Sequence, residues 1–111
     1  MEINSIQDFA NAVKRNTADL IVIDFYSDSC HYCKKIAPFY ESLPKKYPSS
    51  KFYKIGYNNN PDIKKLFEVC EVSSYPTFCL FENGKYKSKI VGADENKLET
   101  SIINNNNAVA Y

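Results

Sequence analysis

The run LIVIDFY at residues 20–26 constrains the fold of this chain more than any other stretch. Apart from one aspartate, its side chains are branched aliphatic or aromatic, and polar and apolar residues barely alternate along it. Such a strand is buried on both faces, which is typical of the middle of a parallel sheet. Asp24 is the exception, because a carboxylate in a buried strand is costly when it is charged and unpaired. Its pKa should therefore be raised.

Helical and extended patterns alternate along the rest of the chain. Ser5 has the position of an N-cap, and apolar residues at helical spacing follow it and recur again after His31. Pro61 suits the first position of a helix, and ENGK at residues 82–85 suits a hairpin turn. The predicted helices are 5–15, 31–47, 61–70 and one from near Asp94, and the predicted strands are 52–57, 77–81 and 86–91.

The order α, β, α, β, α, β, β, α indicates the fold class. Strand–helix–strand units come first and a hairpin closes the sheet, which a mixed sheet with helices on both faces satisfies. The class is α/β, with a central sheet of four strands, or five if residues 2–3 add a short first strand. We predict a single domain over residues 1–104 and a disordered tail over 105–111, since asparagines crowd that end.

The bulk composition excludes several classes of protein. The 111 residues fit one compact domain, and 44% hydrophobic residues are enough to fill its core. A net charge of +1 without a basic stripe predicts no nucleic-acid partner. No apolar run reaches the roughly 20 residues that cross a bilayer, and no basic and apolar leader opens the chain. We therefore predict a protein of the cytoplasm with no membrane partner and, since the domain has no long exposed apolar strand, a monomer.

Two cysteines three positions apart, Cys30 and Cys33, follow the buried strand directly. They could be a redox pair, half of a metal site, or two structural thiols. A zinc site needs about four ligands, and the other cysteines, Cys70 and Cys79, lack paired spacing. In an intracellular chain, a pair at a strand–helix junction indicates redox chemistry first. We therefore predict no metal and no cofactor.

The position of the pair predicts a different chemical role for each of the two thiols. Cys30 lies where a helix begins, and the unpaired N–H groups there stabilise an anion such as a thiolate, the reactive form of cysteine. We predict that Cys30 is the exposed nucleophile and that Cys33, one turn on and deeper, resolves a mixed disulfide. Asp24 would take the proton of Cys33, directly or through a water.

At this point the residues resemble a known family, the thioredoxins. The matching motifs are spread in order over nearly the whole chain: D24-F25, C30-x-x-C33-K34, I36-A37-P38-F39, N60-P61, V72-x-x-Y75-P76-T77, F81-x-x-G84 and V91-G92-A93. The resemblance implies the thioredoxin fold, dithiol–disulfide exchange, and a cis peptide bond before Pro76 that faces the cysteine pair.

The resemblance also implies roles for residues outside the pair. Tyr75 would offer backbone groups to a substrate strand, Pro76 would shape that loop, and Gly92 would leave room for the substrate. Asp24 and Lys54 would match a buried Asp–Lys pair of the family.

The chain departs from the family between its cysteines. Thioredoxins usually carry Trp-Cys-Gly-Pro-Cys, whereas this chain has S-C-H-Y-C at residues 29–33 and no tryptophan. A protonated His31 would stabilise the reduced form and make the couple more oxidising. Tyr32, like the tyrosine that glutaredoxins and some bacterial disulfide isomerases carry there, would tune the pair further. His31, Tyr32 and Lys54 are therefore predicted tuning residues.

Two functions follow from these observations. The first is a protein-disulfide oxidoreductase that reduces disulfide-containing proteins, with a thioredoxin reductase or glutathione as electron donor. The second is a non-catalytic binding module, which would dock a partner peptide as an added strand at the groove of Tyr75 and Pro76. The altered sequence around Cys30 and Cys33 motivates the second function.

Overall fold

The computed structural model describes residues 1–14 and 20–105. Within them, helices and strands follow one another in the predicted order. The bounds are α1 (Ile6–Lys14), β1 (Ile21–Tyr26), α2 (His31–Lys46), β2 (Lys51–Gly56), α3 (Pro61–Val69), β3 (Thr77–Glu82), β4 (Lys85–Val91) and α4 (Glu95–Asn105).

The sheet of the described chain is mixed and four-stranded, in the order β2-β1-β3-β4. β1 runs parallel to β2 and antiparallel to β3, which pairs antiparallel with β4. The first five residues of β1 are buried, as its continuous apolar run predicts. The possible fifth strand is reduced to one parallel bridge between Glu2 and Lys54 of β2. The predicted mixed sheet is confirmed, with four strands.

Helices cover both faces of this sheet, and each face has its own apolar core. The core on the face of α1 and α3 includes Ile23, Ile63 and Phe81. The core on the face of α2 and α4 includes Val22, Leu43 and Ile102. Because side chains alternate along a strand, Ile23 and Val22 of β1 enter opposite cores, and Asp24 points to the same face as Val22. This face is the one that α2 covers.

The ends of the elements follow from local side-chain chemistry. The Ser5 hydroxyl accepts a hydrogen bond from the backbone N–H of Asp8 (3.0 Å), which caps α1 as predicted. Asn60 caps α3 through the N–H of Asp62 (2.8 Å), with Pro61 at the first helical position. Asn83 and Gly84 both have positive φ, as the two-residue turn between β3 and β4 requires.

The predicted tail begins too early. Asn105 belongs to α4, so the expectation that disorder starts at residue 105 is wrong for this residue. The helix persists because Ile102 is fully buried, and because the Asn105 amide donates to the carbonyl of Ser101 (2.8 Å). The rest of the predicted tail, 106–111, and Arg15 of the first predicted helix lie outside the described residues.

Candidate active site

Cys30 stands at the junction between β1 and α2. Its N–H bonds the Ser27 carbonyl (3.1 Å), which closes the turn after the strand. Cys30 is the N-cap of α2, and its Sγ accepts a hydrogen bond from the N–H of Cys33 (3.1 Å). A sulfur in that position faces the positive end of the helix dipole.

Cys33 lies one helical turn further on and is only 7% exposed, whereas Cys30 is partly exposed. Burial raises the pKa of Cys33 to about 12, and the hydrogen bond and charge of Cys30 raise it as well. The backbone N–H of Ser27 acts in the opposite direction. Cys33 is therefore a protonated thiol at neutral pH and needs a base before it can attack.

Asp24 provides a carboxyl group of unusual basicity on the same face of the sheet. It is 4% exposed, and its Oδ1 has no hydrogen-bond partner among the described residues. Burial raises the pKa of Asp24 to about 7; the positive charge of Lys54 lowers it and the charge of Glu2 raises it. The carboxyl group can therefore both hold and release a proton near neutral pH.

A cavity of about 230 Å³ joins Asp24 to Cys33. Two pairs of side chains form much of its wall: Asp24 and Tyr26 share one face of β1, and Cys33 and Ala37 share one face of α2. The space exceeds the roughly 30 Å³ of a water molecule several times. It allows a proton to pass between the thiol and the carboxyl group directly or through water. The full lining is Asp24, Tyr26, Ser27, Asp28, Cys33, Lys34, Ala37 and Lys54.

Lys54 is less buried than the resemblance implied. Its Cα is paired with that of Asp24 in the parallel register, but its side chain is 30% exposed. The ammonium lies 4.0 Å from a Glu41 carboxylate oxygen and 4.9 Å from the centre of the Tyr26 ring. β2 is an edge strand, so the long side chain can extend toward water. Lys54 acts on Asp24 through its charge.

Tyr26 and Glu2 also shape this cavity, and the sequence analysis missed both. The Tyr26 hydroxyl donates to a Glu2 carboxylate oxygen (2.8 Å), which fixes the ring at the end of β1. Gly56 makes room for that ring, since a Cβ there would lie 2.8 Å from the Tyr26 Cζ. Strand periodicity was an available signal, because residues 24 and 26 lie on one face of β1.

The loop before β3 has the cis peptide bond Tyr75–Pro76 that the resemblance implied. The carbonyl of Pro76 accepts a hydrogen bond from the N–H of Gly92 (2.8 Å). Gly92 has a φ of +101°, and a Cβ there would meet nothing within 4 Å. Burial raises the pKa of Tyr75, and so do the charges of Tyr57, Cys30 and Cys33. The charges of the cysteine pair therefore act on this loop.

An aromatic surface surrounds the pair. His31 and Tyr32 are both exposed on the first turn of α2, with ring centres 5.7 Å apart, and Tyr32 is 60% exposed. Tyr57, which the sequence analysis did not single out, lies with its ring centre 6.4 Å from that of Tyr75. Exposed aromatic rings beside a reactive group provide apolar contact area for a partner.

The described ranges offer neither a metal-binding cluster nor a membrane-spanning helix. No group of three or more His, Cys, Asp or Glu side chains there could hold a metal ion. None of the helices in residues 1–14 and 20–105 is long and apolar enough to cross a membrane.

Comparison with known proteins identifies the family. The family model for thioredoxin matches residues 1–104. A thioredoxin-like protein of Acanthamoeba polyphaga mimivirus is 41% identical over 102 residues, which are 92% of this chain and 74% of that protein. The mitochondrial thioredoxin-3 of Saccharomyces cerevisiae is 38% identical over 101 residues, covering 91% of this chain and 76% of that protein.

Solved structures agree with the sequence relatives. The X-ray structure of Fasciola hepatica thioredoxin superposes with a TM-score of 0.86 at 30% identity, covering 93% of this chain and 96% of that one. These likenesses favour the redox function over the non-catalytic binding module. The chain belongs to the thioredoxin family and is a thiol–disulfide oxidoreductase.

Proposed function

We propose that Cys30 attacks a disulfide of a substrate protein and that Cys33 resolves the resulting mixed disulfide. One observation supports this order above all others. Cys30 is partly exposed at the N-cap of α2, whereas Cys33 is buried and lines a cavity together with Asp24. An incoming disulfide can reach only the first sulfur without moving the helix.

Two successive thiol–disulfide exchanges transfer the electrons. The Cys30 thiolate forms a bond to one substrate sulfur, and the substrate disulfide breaks to release the other sulfur as a thiolate. Cys33 then bonds to the Cys30 sulfur, and the second substrate sulfur leaves. The two electrons that reduce the substrate come from the two cysteines, which end as a disulfide.

Asp24 is the proposed base for the second step. In the mixed disulfide Cys30 carries no charge, so one cause of the high pKa of Cys33 has gone. As Cys33 attacks, its proton passes to Asp24, whose pKa of about 7 leaves much of it ionised at neutral pH. Lys54, His31 and Tyr32 tune the pair, Lys54 through its charge on Asp24.

The substrate binds along the loop of Tyr75 and Pro76. Its backbone pairs with Tyr75, while Gly92 leaves open space beside the Pro76 carbonyl. The exposed aromatic surface of Tyr32 and Tyr57 supplies apolar contact. The substrates in this proposal are disulfide-containing proteins, since an extended backbone is what such a groove recognises.

The direction of the reaction and its setting are further parts of the proposal. The protein acts as a monomeric reductase in the cytoplasm, and a thioredoxin reductase or glutathione returns its electrons. Cell fractionation tests the compartment, since one curated relative is mitochondrial. Gel filtration tests the monomer.

Trapping of the mixed disulfide tests the roles of the two cysteines. Cys33→Ser leaves the nucleophile but removes the resolving thiol, so we expect it to hold substrate proteins covalently through Cys30. Cys30→Ser is the matched control and should trap little, because Cys33 is buried. Non-reducing gels and mass spectrometry of the linked peptide read the outcome. Trapping by Cys30→Ser alone would reverse the assigned roles.

A further inference from the structure

A second pair of thiols lies on the opposite face of the sheet, under α3. Cys70 ends this helix and is partly exposed, whereas Cys79 lies in β3 and is fully buried. Both belong to the apolar core of α1 and α3. Each thiol acts on the pKa of the other, with Cys79 as donor and Cys70 as acceptor, so the two side chains approach each other in this core although they lie nine positions apart.

A surface cavity of about 270 Å³ reaches Cys70 but not Cys79. Most of its wall is apolar, and one cation, Lys89, stands in it. The lining residues are Phe9, Val69, Cys70, Glu71, Phe81, Tyr86 and Lys89. A small molecule can therefore approach Cys70 from the solvent, while Cys79 is fully buried and does not line the cavity.

Lys89 is held beside this pair by two independent contacts. Its Cα is paired with that of Cys79 across the β3–β4 register, so the two side chains share a face. Its Nζ donates to the backbone carbonyl of Glu71 (2.8 Å), the residue after Cys70. The positive charge is thus fixed near the Cys70 sulfur. The other ionisable groups at the cavity are the Glu71 carboxylate and the Tyr86 phenol.

The pKa values of the two thiols are shifted in opposite directions. The hydrogen bond from Cys79 lowers the pKa of Cys70 against the opposing effect of burial, and Lys89 lowers it further. The same hydrogen bond and burial raise the pKa of Cys79. An accessible sulfur favoured as thiolate and a buried thiol in contact with it are the two parts that disulfide exchange needs.

We propose that Cys70 and Cys79 form a second dithiol of this protein, which low-molecular-weight disulfides such as oxidised glutathione convert to an internal disulfide. The Cys70 thiolate bonds to one glutathione sulfur and the other leaves as a thiolate. Cys79 then bonds to the Cys70 sulfur, and the second glutathione leaves with the proton that Cys79 gives up. The two cysteines lose two electrons, and one oxidised glutathione becomes two reduced molecules.

Intact-mass analysis of a Cys30→Ser/Cys33→Ser protein tests this proposal without the active-site pair. After incubation with oxidised glutathione and alkylation, we expect a product without alkyl or glutathione adducts and a Cys70–Cys79 disulfide in the peptide map. Adding Cys79→Ala should stop the reaction at glutathione on Cys70. Adding Cys70→Ala should leave Cys79 unreacted. Two alkylated thiols, or a final glutathione adduct with Cys79 still present, would overturn the proposal.

The role of Lys89 is tested by the rate at which iodoacetamide alkylates Cys70 as a function of pH, in the variant with Cys79→Ala. Lys89→Gln should slow alkylation severalfold at neutral pH and move the profile to higher pH, because the cation that favours the thiolate is gone. Lys87→Gln, two positions earlier in β4, is the matched control and should leave the profile in place. Identical profiles for both variants would contradict the role of Lys89.

Discussion

Replacing Asp24 by asparagine should stabilise the reduced protein, and the gain should be about 4 kcal/mol larger at pH 8 than at pH 4. Burial raises the pKa of this carboxyl group from an ordinary value of 3.8 to about 7. Each unit of difference between the pKa of Asp24 in the folded and in the unfolded protein changes the free energy of unfolding by about 1.4 kcal/mol. A difference of roughly three units therefore gives about 4 kcal/mol. Asparagine has nearly the same shape and no charge to desolvate.

The sign follows from proton binding. Between pH 3.8 and about 7 the folded protein keeps the proton of Asp24 while the unfolded chain has lost it. The folded state binds more protons in this window, so the free energy of unfolding of the wild type falls as pH rises through it. Above the pKa of Asp24 in the folded protein, both states have lost this proton, and the free energy of unfolding falls no further because of Asp24. Asp24→Asn lacks this dependence, and the titrations of other groups are common to both proteins.

Urea unfolding at pH 4 and pH 8, with both proteins held reduced, measures the effect. For a slope of about 2 kcal/mol per molar urea, 4 kcal/mol moves the midpoint by about 2 M. Asp28→Asn replaces an exposed carboxylate nearby and should change the free energy of unfolding by no more than about 0.5 kcal/mol. An equal gain from Asp24→Asn at both pH values would refute the reasoning, because it would show that burial of the charged Asp24 carboxylate does not destabilise the folded protein.

Two further predictions concern the surroundings of Asp24. Glu2→Gln should move the titration of the Asp24 carboxyl to lower pH and Lys54→Met to higher pH, because the first change removes a negative charge and the second a positive one. Carbon-13 NMR of the carboxyl group measures both, and shifts in the same direction would contradict the assignment. Gly56→Ala should cost about 1 kcal/mol in urea unfolding, since the new Cβ meets the Tyr26 ring at 2.8 Å. The cost should vanish in a Tyr26→Ala background, and an unchanged cost there would place its cause elsewhere.

Much of the fold follows from local patterns in the sequence. The buried run of β1, the caps at Ser5 and Asn60 and the turn at Asn83 depend on residues close together in the chain, so their elements begin and end within a few residues of the predicted positions. The cis bond before Pro76 came from the family resemblance, because one X–Pro pair by itself does not reveal its isomer.

The features that the sequence did not reveal depend on tertiary packing. Lys54 is partly exposed because β2 lies at the edge of the sheet, which its own pattern does not show. The pairing of Tyr26 with Glu2 joins residues 24 positions apart. Cys70 and Cys79 lack paired spacing in the sequence, and only the packing of α3 on β3 brings Cys70 toward Cys79. The exposure of Lys54, the Tyr26–Glu2 hydrogen bond and the approach of Cys70 to Cys79 all depend on side-chain direction or long-range contact. Neither can be predicted from the spacing of residues along the sequence.

The central claim, that Cys30 and Cys33 exchange electrons with disulfides as a pair, is tested most directly by an equilibrium redox titration. A Cys70→Ala/Cys79→Ala protein is equilibrated in defined dithiol buffers, and alkylation followed by mass spectrometry counts the free thiols. A cytosolic reductase predicts one two-electron transition with a potential near about −270 mV. A potential of about −120 to −180 mV would contradict the reducing direction. Failure of Cys30 and Cys33 to form a disulfide at any buffer ratio would contradict the account itself.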